Sequence, residues 1–171
     1  MVLFYMIPTQ FPYLIVETLG GDPKTVGFVI AIAMVFNALI AMQYAKIKAR
    51  LSYIQIYSAT FTFFAIGLFI ISYASSIGEL LYSTLFTGVA FGLLLVNTNA
   101  WFLSKVPANK RGKASGILTS SFFFGQFSSP LIFEPIVTHY GIQQLFFMIG
   151  ILSVVTAVVL FLYSLRKNRI L

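Results

Sequence analysis

The chain has 171 residues, 59% of them hydrophobic and 9% charged, with a mean hydropathy of +0.94. A water-soluble domain carries roughly 25% charged residues, so this chain has too little polar surface to cover a fold in water, and its solvent must be lipid. Cysteine is absent and histidine occurs once, at His139, which excludes a disulfide framework, a thiolate metal site and a histidine metal cluster; the net charge of +7 raises nucleic acid as a partner until the charges are placed along the chain.

Six apolar spans succeed one another, at about 2–16, 26–44, 53–73, 79–104, 114–136 and 144–165. The first covers roughly 24 Å at 1.5 Å per residue, short of the ~30 Å hydrocarbon core, and contains Pro8, Gln10 and Pro12; it reads as the distal part of a longer helix. Its start, MVLFYMIPTQ, has neither a basic region nor a small-residue cleavage site, so it is not a secretory signal. The turn ETLGGDPKT leads to the second span, the basic connection AKIKARLS to the third, ASSIGE to the fourth, and VPANKRGK to the fifth. Short connections make neighbouring spans antiparallel. Apolar runs near 20 residues argue helices over barrel strands, which would be about 10 residues long and alternate. The expected fold is one all-α membrane domain of six transmembrane helices.

The cations are Lys24, Lys46, Lys48, Arg50, Lys105, Lys110, Arg111, Lys113, Arg166, Lys167 and Arg169, and all but Lys24 come after spans two, four and six. The acids Glu17, Asp22, Glu79 and Glu134 lie at the opposite ends. This positive-inside pattern places the 45–52 loop, the 105–113 loop and the C-terminus in the cytoplasm of a multi-pass protein of the plasma (inner) membrane. It also explains the +7 as a topology signal, and nucleic acid drops out as a partner in favour of the lipid bilayer.

Small residues recur every four positions on three spans: Ala33, Asn37, Ala41 and Ala45 on the second, Thr84, Gly88 and Gly92 on the fourth, Ser121, Gly125 and Ser129 on the fifth. Spacing of four keeps them on one face, where small side chains let helix backbones approach. Spans three and six are bulky and suit a lipid-facing periphery, leaving one, two, four and five to line the middle. An inner–outer split in groups of three is the organisation of a transporter half, a 3+3 inverted repeat.

Polar groups inside a span are costly unless paired or open to a water-filled path. Gln10, between two prolines, either contacts substrate near an external gate or satisfies carbonyls that the prolines free. Asn37 lies mid-span on the small-residue stripe and serves substrate or an interhelical hydrogen bond. Asn99 falls on the Gly88–Gly92 face, a packing position, whereas Asn97 is about 200° round from it and is expected to face the cavity. Trp101 reads as an aromatic-belt anchor. Gln126, mid-span and one position round from Gly125, is the foremost substrate-contact candidate, with helix–helix bonding as its alternative. Glu134, bracketed by Pro130 and Pro135, either binds a coupling proton or is a solvated carboxylate at the external interface, where Pro135, Thr138 and His139 mark the helix end. No nucleophile has a histidine or acid at its depth, and no phosphate loop or metal spacing is present, so neither an enzyme nor a cofactor is expected.

The chain resembles the C-terminal six-helix half of a major facilitator superfamily transporter. Pro107, Arg111, Gly112, Ala114 and Gly116 match the P-x-x-x-R-G-x-A-x-G that opens the family's eleventh helix, and Gly125, Gln126, Ser129 and Pro130 match that helix's central glycine and the proline beyond it. YAKIKAR at 44–50 is similar to the cytoplasmic loop often written G-x-L-A-D-R; Ile47 and Arg50 fit, while Ala45 and Ala49 replace the glycine and the acid. Tyr140-Gly141-Ile142 resembles the G-W-R entry to the twelfth helix without its tryptophan and arginine, and PTQFPYLIVETLGGDPKTVG resembles the end of the seventh helix.

The resemblance implies proton-coupled, alternating-access transport, nearest to drug:proton antiporters; efflux of a small organic molecule is expected, because the inner helices offer aromatics, amides and hydroxyls but no basic residue to hold an anion. It implies Arg50, Arg111 and Gly112 as elements of a cytoplasmic gate. It also implies a missing N-terminal six-helix half, from the same gene upstream or a separate chain, or a homodimer in its place. Import of an uncharged metabolite, and a truncated, transport-inactive fragment or membrane module pairing with a separate N-half, are the alternatives.

Overall fold

A computed structural model describes residues 1–168, with side chains to Arg166. The described residues form six α-helices: α1 (Val2–Tyr13), α2 (Pro23–Lys48), α3 (Tyr53–Tyr73), α4 (Ile77–Ser104), α5 (Arg111–Tyr140) and α6 (Ile142–Asn168). A π-helical turn, Leu14–Thr18, extends α1, and a 3-10 turn, Ala108–Lys110, precedes α5. Arg169, counted above with the C-terminal cations, lies outside the described residues. Four helices, α2, α3, α4 and α6, are long and apolar enough to cross a membrane; α1 is too short and α5 too polar to meet the same standard.

Local chemistry sets the helix starts. Asp22 caps α2, accepting from the Thr25 N–H (2.8 Å) and hydroxyl (2.6 Å), with Pro23 pre-set at the first position. Ser52 and Gln55 form a capping box on α3: the Gln55 N–H donates to Ser52 Oγ (3.3 Å) and the Ser52 N–H to Gln55 Oε1 (2.8 Å). Ser76 caps α4, whose Glu79 reaches back to accept from the Ser75 N–H (2.6 Å). Gly141 joins α5 to α6 with φ +86°, a conformation that a side chain would resist.

Lipid is as apolar as a protein core, so helices associate here through close contact and hydrogen bonds more than through hydrophobic burial. The closest pairings are α3 with α6, α3 with α4 and α2 with α4. On α4, a Cβ at Gly88 would collide with the Ala33 C=O and come within 2.9 Å of Phe36 Cβ, and one at Gly92 within 2.6 Å of the Asn37 C=O. Ala33 and Asn37 of the stripe expected on span two thus face Gly88 and Gly92 of the stripe on span four, while Ala45 is exposed.

Two expectations are corrected. The third span is not peripheral: α3 is clasped between α4 and α6, with Ser58, Thr60, Phe64, Ala65, Gly67, Leu68, Ile71 and Ser72 buried. Its small residues do this: a Cβ at Gly67 would meet the Thr87 side chain at 2.5 Å, and Ser58 Oγ donates to the Ala157 C=O of α6 at 2.8 Å. Its bulky residues are shared between two faces: Phe64, Leu68 and Ile71 are buried, while Phe63, Ile66 and Tyr73 are exposed. On the fifth span, Ser121 is exposed and donates to the Ile117 C=O of its own helix, so the stripe is buried only at Gly125, which packs on Met1 and Val2, and at Ser129. Helix α5 runs through Pro130 and Pro135 and ends at Tyr140, beside the Thr138 and His139 expected to mark its end.

Helix α1 occupies the middle of the bundle by side-chain size. Phe4, Met6, Phe11, Leu14 and Ile15 are fully buried, with Phe4 stacked on Phe64 (3.9 Å, 12°) and edge-on to Phe91 (5.6 Å, 75°). By contrast, α2 is barely covered by the rest of the chain, and α5 exposes Phe123, Phe124, Phe127, Leu131 and Ile132.

Candidate functional site

The site begins where α1 is broken. Pro8 and Pro12 have no N–H, which removes the helical donors to the carbonyls of Phe4 and Pro8, and the helix relaxes into the wide turn in which the Leu19 N–H reaches the Leu14 C=O (3.1 Å). Thr9 Oγ1 donates to the Tyr5 (2.9 Å) and Met6 (3.0 Å) carbonyls, the side-chain hydrogen bonds that α1 makes among the described residues. Gln10 is buried at 3% exposure, and its amide does not perform that repair.

Facing Pro8 is a narrow crevice of about 40 Å³ between α1, α2 and α4, walled by Ile7, Phe11, Met34, Asn37 and Phe91. Thr87 also borders it, but its hydroxyl is committed to the Ser83 C=O (3.0 Å). Asn37 is half-buried and its side chain has no hydrogen-bond partner among the described residues, so its amide is the free polar group of an otherwise apolar wall. Its backbone, meanwhile, packs on Gly92, so the α2–α4 seam fixes the position from which the amide projects.

Asn97 is elsewhere. The expectation that it faces a cavity does not hold: it is fully buried, accepts from the Tyr44 hydroxyl on Oδ1 (2.9 Å) and donates from Nδ2 to the Tyr53 C=O (3.0 Å). Its helix position points between α2 and α3, and both halves of the amide are used there. Asn99 is half-buried and donates to the Leu95 C=O of its own helix (2.8 Å). Gln126 and Glu134 are exposed on α5. Pro130 deprives the Gln126 C=O of its helical donor, while Ser129, fully buried, has an Oγ with no partner.

At the basic end, Arg50 and Arg111 are exposed, Arg111 Nε donates to the Val106 C=O (3.4 Å), and Gly112 has open space where a Cβ would sit. Nearby lies an aromatic cluster that sequence reasoning passes over. Tyr53 stacks on Trp101 (6.0 Å, 17°), Tyr57 meets Trp101 edge-on (5.6 Å, 60°) and shares a hydrogen bond with Thr98 (2.8 Å), and Lys48 Nζ lies 4.2 Å over the Tyr53 ring. A signal for it exists in the spacing: Tyr53 and Tyr57 are one turn apart, as are Asn97 and Trp101. Among the described residues no cluster of histidine or acidic side chains could hold a metal.

Apolar helices of membrane-spanning length, with a proline-broken helix beside isolated amides, define an integral membrane protein that holds polar groups within its spans. The chain belongs to the Major Facilitator Superfamily, whose family model matches residues 1–169. It is similar to the riboflavin transporter RibZ of Clostridioides difficile (29% identity over 114 residues, 65% of this chain and 25% of the relative). It is also similar to the multidrug resistance protein MdtG of Proteus mirabilis (29% over 136 residues, 80% and 32%) and to the MFS-type transporter MJ1560 of Methanocaldococcus jannaschii (24% over 137 residues, 80% and 35%). The chain thus spans between a quarter and about a third of the length of these curated relatives.

Proposed function

We propose that this chain is a six-span C-terminal half, a 3+3 inverted repeat, of a carrier that moves a small organic molecule by alternating access, coupled to protons in the export direction. The observation that carries this reading is the cleft between α1, α2 and α4, an aromatic and aliphatic wall with the single free amide of Asn37. Parted by the helix movements of alternating access, such a wall would take a flat, amphipathic molecule and offer it one hydrogen-bonding partner. No cation stands in it, so an anion would find no counter-charge. Likeness to relatives named for riboflavin and for multidrug resistance supports the same class of cargo.

The uncovered faces of α2 and α5 support a second six-helix unit, from the same or a separate chain or a second copy, seated across them. Gln126 would then look into the shared pathway from α5, with Gln10 behind the α1 break. Glu134 is this chain's acid for the coupling proton. Arg50, Arg111 and Gly112 stand at the cytoplasmic gate of a protein in the inner membrane.

The test is flux in proteoliposomes holding both halves, with and without a proton gradient. Asn37→Ala and Gln126→Ala are expected to weaken apparent affinity by ~10-fold, the scale of one hydrogen bond in a dry site. Unchanged affinity in both removes the assigned pathway, and no flux at all with both halves present leaves a membrane module without transport. Uptake of an uncharged metabolite fits the same cleft and is favoured by the likeness to a riboflavin transporter; the sign of the flux separates it from export.

A further inference from the structure

We infer that Tyr44, Asn97 and Tyr53 form a latch that makes the basic ends of α2, α3 and α4 one rigid unit, which moves as a single body when that end opens. Asn97 and Tyr44 are then positioning residues for the proposed pathway: they touch no cargo and fix the helices that border it.

Geometry supports the latch on three counts. A single buried amide ties three helices: Asn97 on α4 accepts from the Tyr44 hydroxyl of α2 (2.9 Å) and donates to the Tyr53 C=O at the first turn of α3 (3.0 Å). Tyr44 is 8% exposed and Asn97 not at all, so water cannot replace either bond cheaply. The latch is braced from outside. Tyr53 is held between Lys48, 4.2 Å over its ring, and Trp101, stacked on it, while Lys48 Nζ also donates to the Leu51 C=O (3.3 Å). This carries the 48–52 connection along with the three helices.

The latch also extends a contact already present further up. The Gly88 and Gly92 seam holds α2 to α4 at mid-span, and Asn97 pins the same pair closer to the basic end. Two fixed points prevent α2 from pivoting on α4. Helix α5 differs. From Arg111 to Phe124 it buries only Leu118, and its contact with α4 is slight beside that of α2 or α3. Within this chain the basic end therefore has a clamped side, and α5 there lacks a comparable tie to it.

Charge does not do the clamping. The described cations at that end, Lys46, Lys48, Arg50, Lys105, Lys110, Arg111, Lys113 and Arg166, have no acid among them, since Glu17, Asp22, Glu79 and Glu134 all lie at the other end. An uncharged latch predicts rigidity that ionic strength does not alter.

The chain has no cysteine, so labels can be placed without background. Spin labels at Ala45 and Ser104 report α2 against α4, and labels at Ala45 and Lys113 report α2 against α5; all three positions are exposed. In the full chain in bilayers the first pair is expected to give one narrow distance distribution, the same at low and high salt, and the second a broad one. Asn97→Leu is expected to broaden the first distribution at least twofold in protein that remains folded. Tyr44→Phe, which removes only the hydroxyl, is expected to broaden it less. A merely structural amide would lower the melting temperature and leave the width unchanged, and that result overturns the latch. If Asn97→Leu does not fold, an unchanged width in Tyr44→Phe overturns it equally. These readouts need no cargo, so they stand or fall separately from the transport assay.

Discussion

At Gly88 and Gly112 the same residue type has opposite meanings. Both are exchangeable on a helix by propensity, where alanine is favoured by ~1 kcal/mol. At Gly88 a methyl group would sit on the Ala33 carbonyl, while at Gly112 it would meet nothing within 4 Å. Gly88→Ala is therefore expected to destabilise the protein by ~1–3 kcal/mol, the cost of overpacking, and Gly112→Ala to be neutral or stabilising. Thermal unfolding in detergent ranks the two variants; equal melting temperatures would deny the seam. Asp22 offers a second reading at this scale. Its carboxylate accepts from the Thr25 hydroxyl and N–H, which hold its pKa below the ordinary 3.8. A depressed carboxylate contributes its stability above the ordinary value and loses it as pH falls through the lower, folded one. The Thr25 amide resonance, tracked by NMR, is expected to titrate below 3.8, and Thr25→Val to raise that midpoint. A wild-type midpoint at the ordinary value would mean the cap is not formed in solution.

Helix α5 shows what happens when a helix has few neighbours and two prolines. Ser129 lies in its one tight contact, fully buried, yet its Oγ has no partner. A buried hydroxyl left unpaired costs ~1–3 kcal/mol, and replacing it with a methyl removes the cost without opening a cavity. Ser129→Ala is expected to raise the melting temperature of the isolated chain. A drop would mean that the hydroxyl finds a partner in the membrane-embedded protein, since a serine that packs only through its methylene has nothing to lose. The same helix shows the limits of reading patterns by spacing. Gly125 and Ser129 are legible as a seam because four-residue spacing fixes a face; Ser121 shares that spacing but lies nearer the basic end, where α5 has little beside it. Spacing gives the face of a helix and not whether another helix reaches it. Helix α3 misleads in the other direction. Phe63 and Ile66 suggest a lipid-facing helix, whereas Ser58 and Gly67 let α6 and α4 approach it closely, because in lipid close approach counts for more than apolar bulk. Asn97 escapes sequence reasoning for a related reason: its angle from Asn99 can be read from the spacing, but which neighbour occupies that angle is a tertiary fact.

Across the whole molecule, charge gives the most direct prediction. The all-helical, apolar character of the chain is legible because apolar runs near 20 residues fit helices, whereas strands of a barrel, the other structure that satisfies a backbone in lipid, are about half as long. The direction in which the helices run is legible as well, since the cations gather at one end of the bundle and the acids at the other. Lys24 is the exception, at the end of the acids, one residue beyond the Pro23 that opens α2. A single lysine beside Asp22 and Glu17 leaves that end acidic on balance, and loop asymmetry, not any one residue, sets orientation. Cysteines introduced at Asn109 and Gly21 in a chain that otherwise has none are therefore expected to react with a membrane-impermeant maleimide from opposite sides, Asn109 from the cytoplasm. Reaction of both from one side would break the assignment of helix direction. Reaction from opposite sides but with Gly21 cytoplasmic would keep the helices and invert the protein, which would put Lys46, Lys48, Arg50 and the latch below them at the outer surface and move the proposed proton acid, Glu134, to the cytoplasmic one. Exchanging Lys110 and Lys113 for glutamate discriminates further. If the 105–113 loop is retained by its cations, the doubly substituted chain should show Asn109 labelling from both sides, because removing part of the positive bias leaves two orientations closer in free energy.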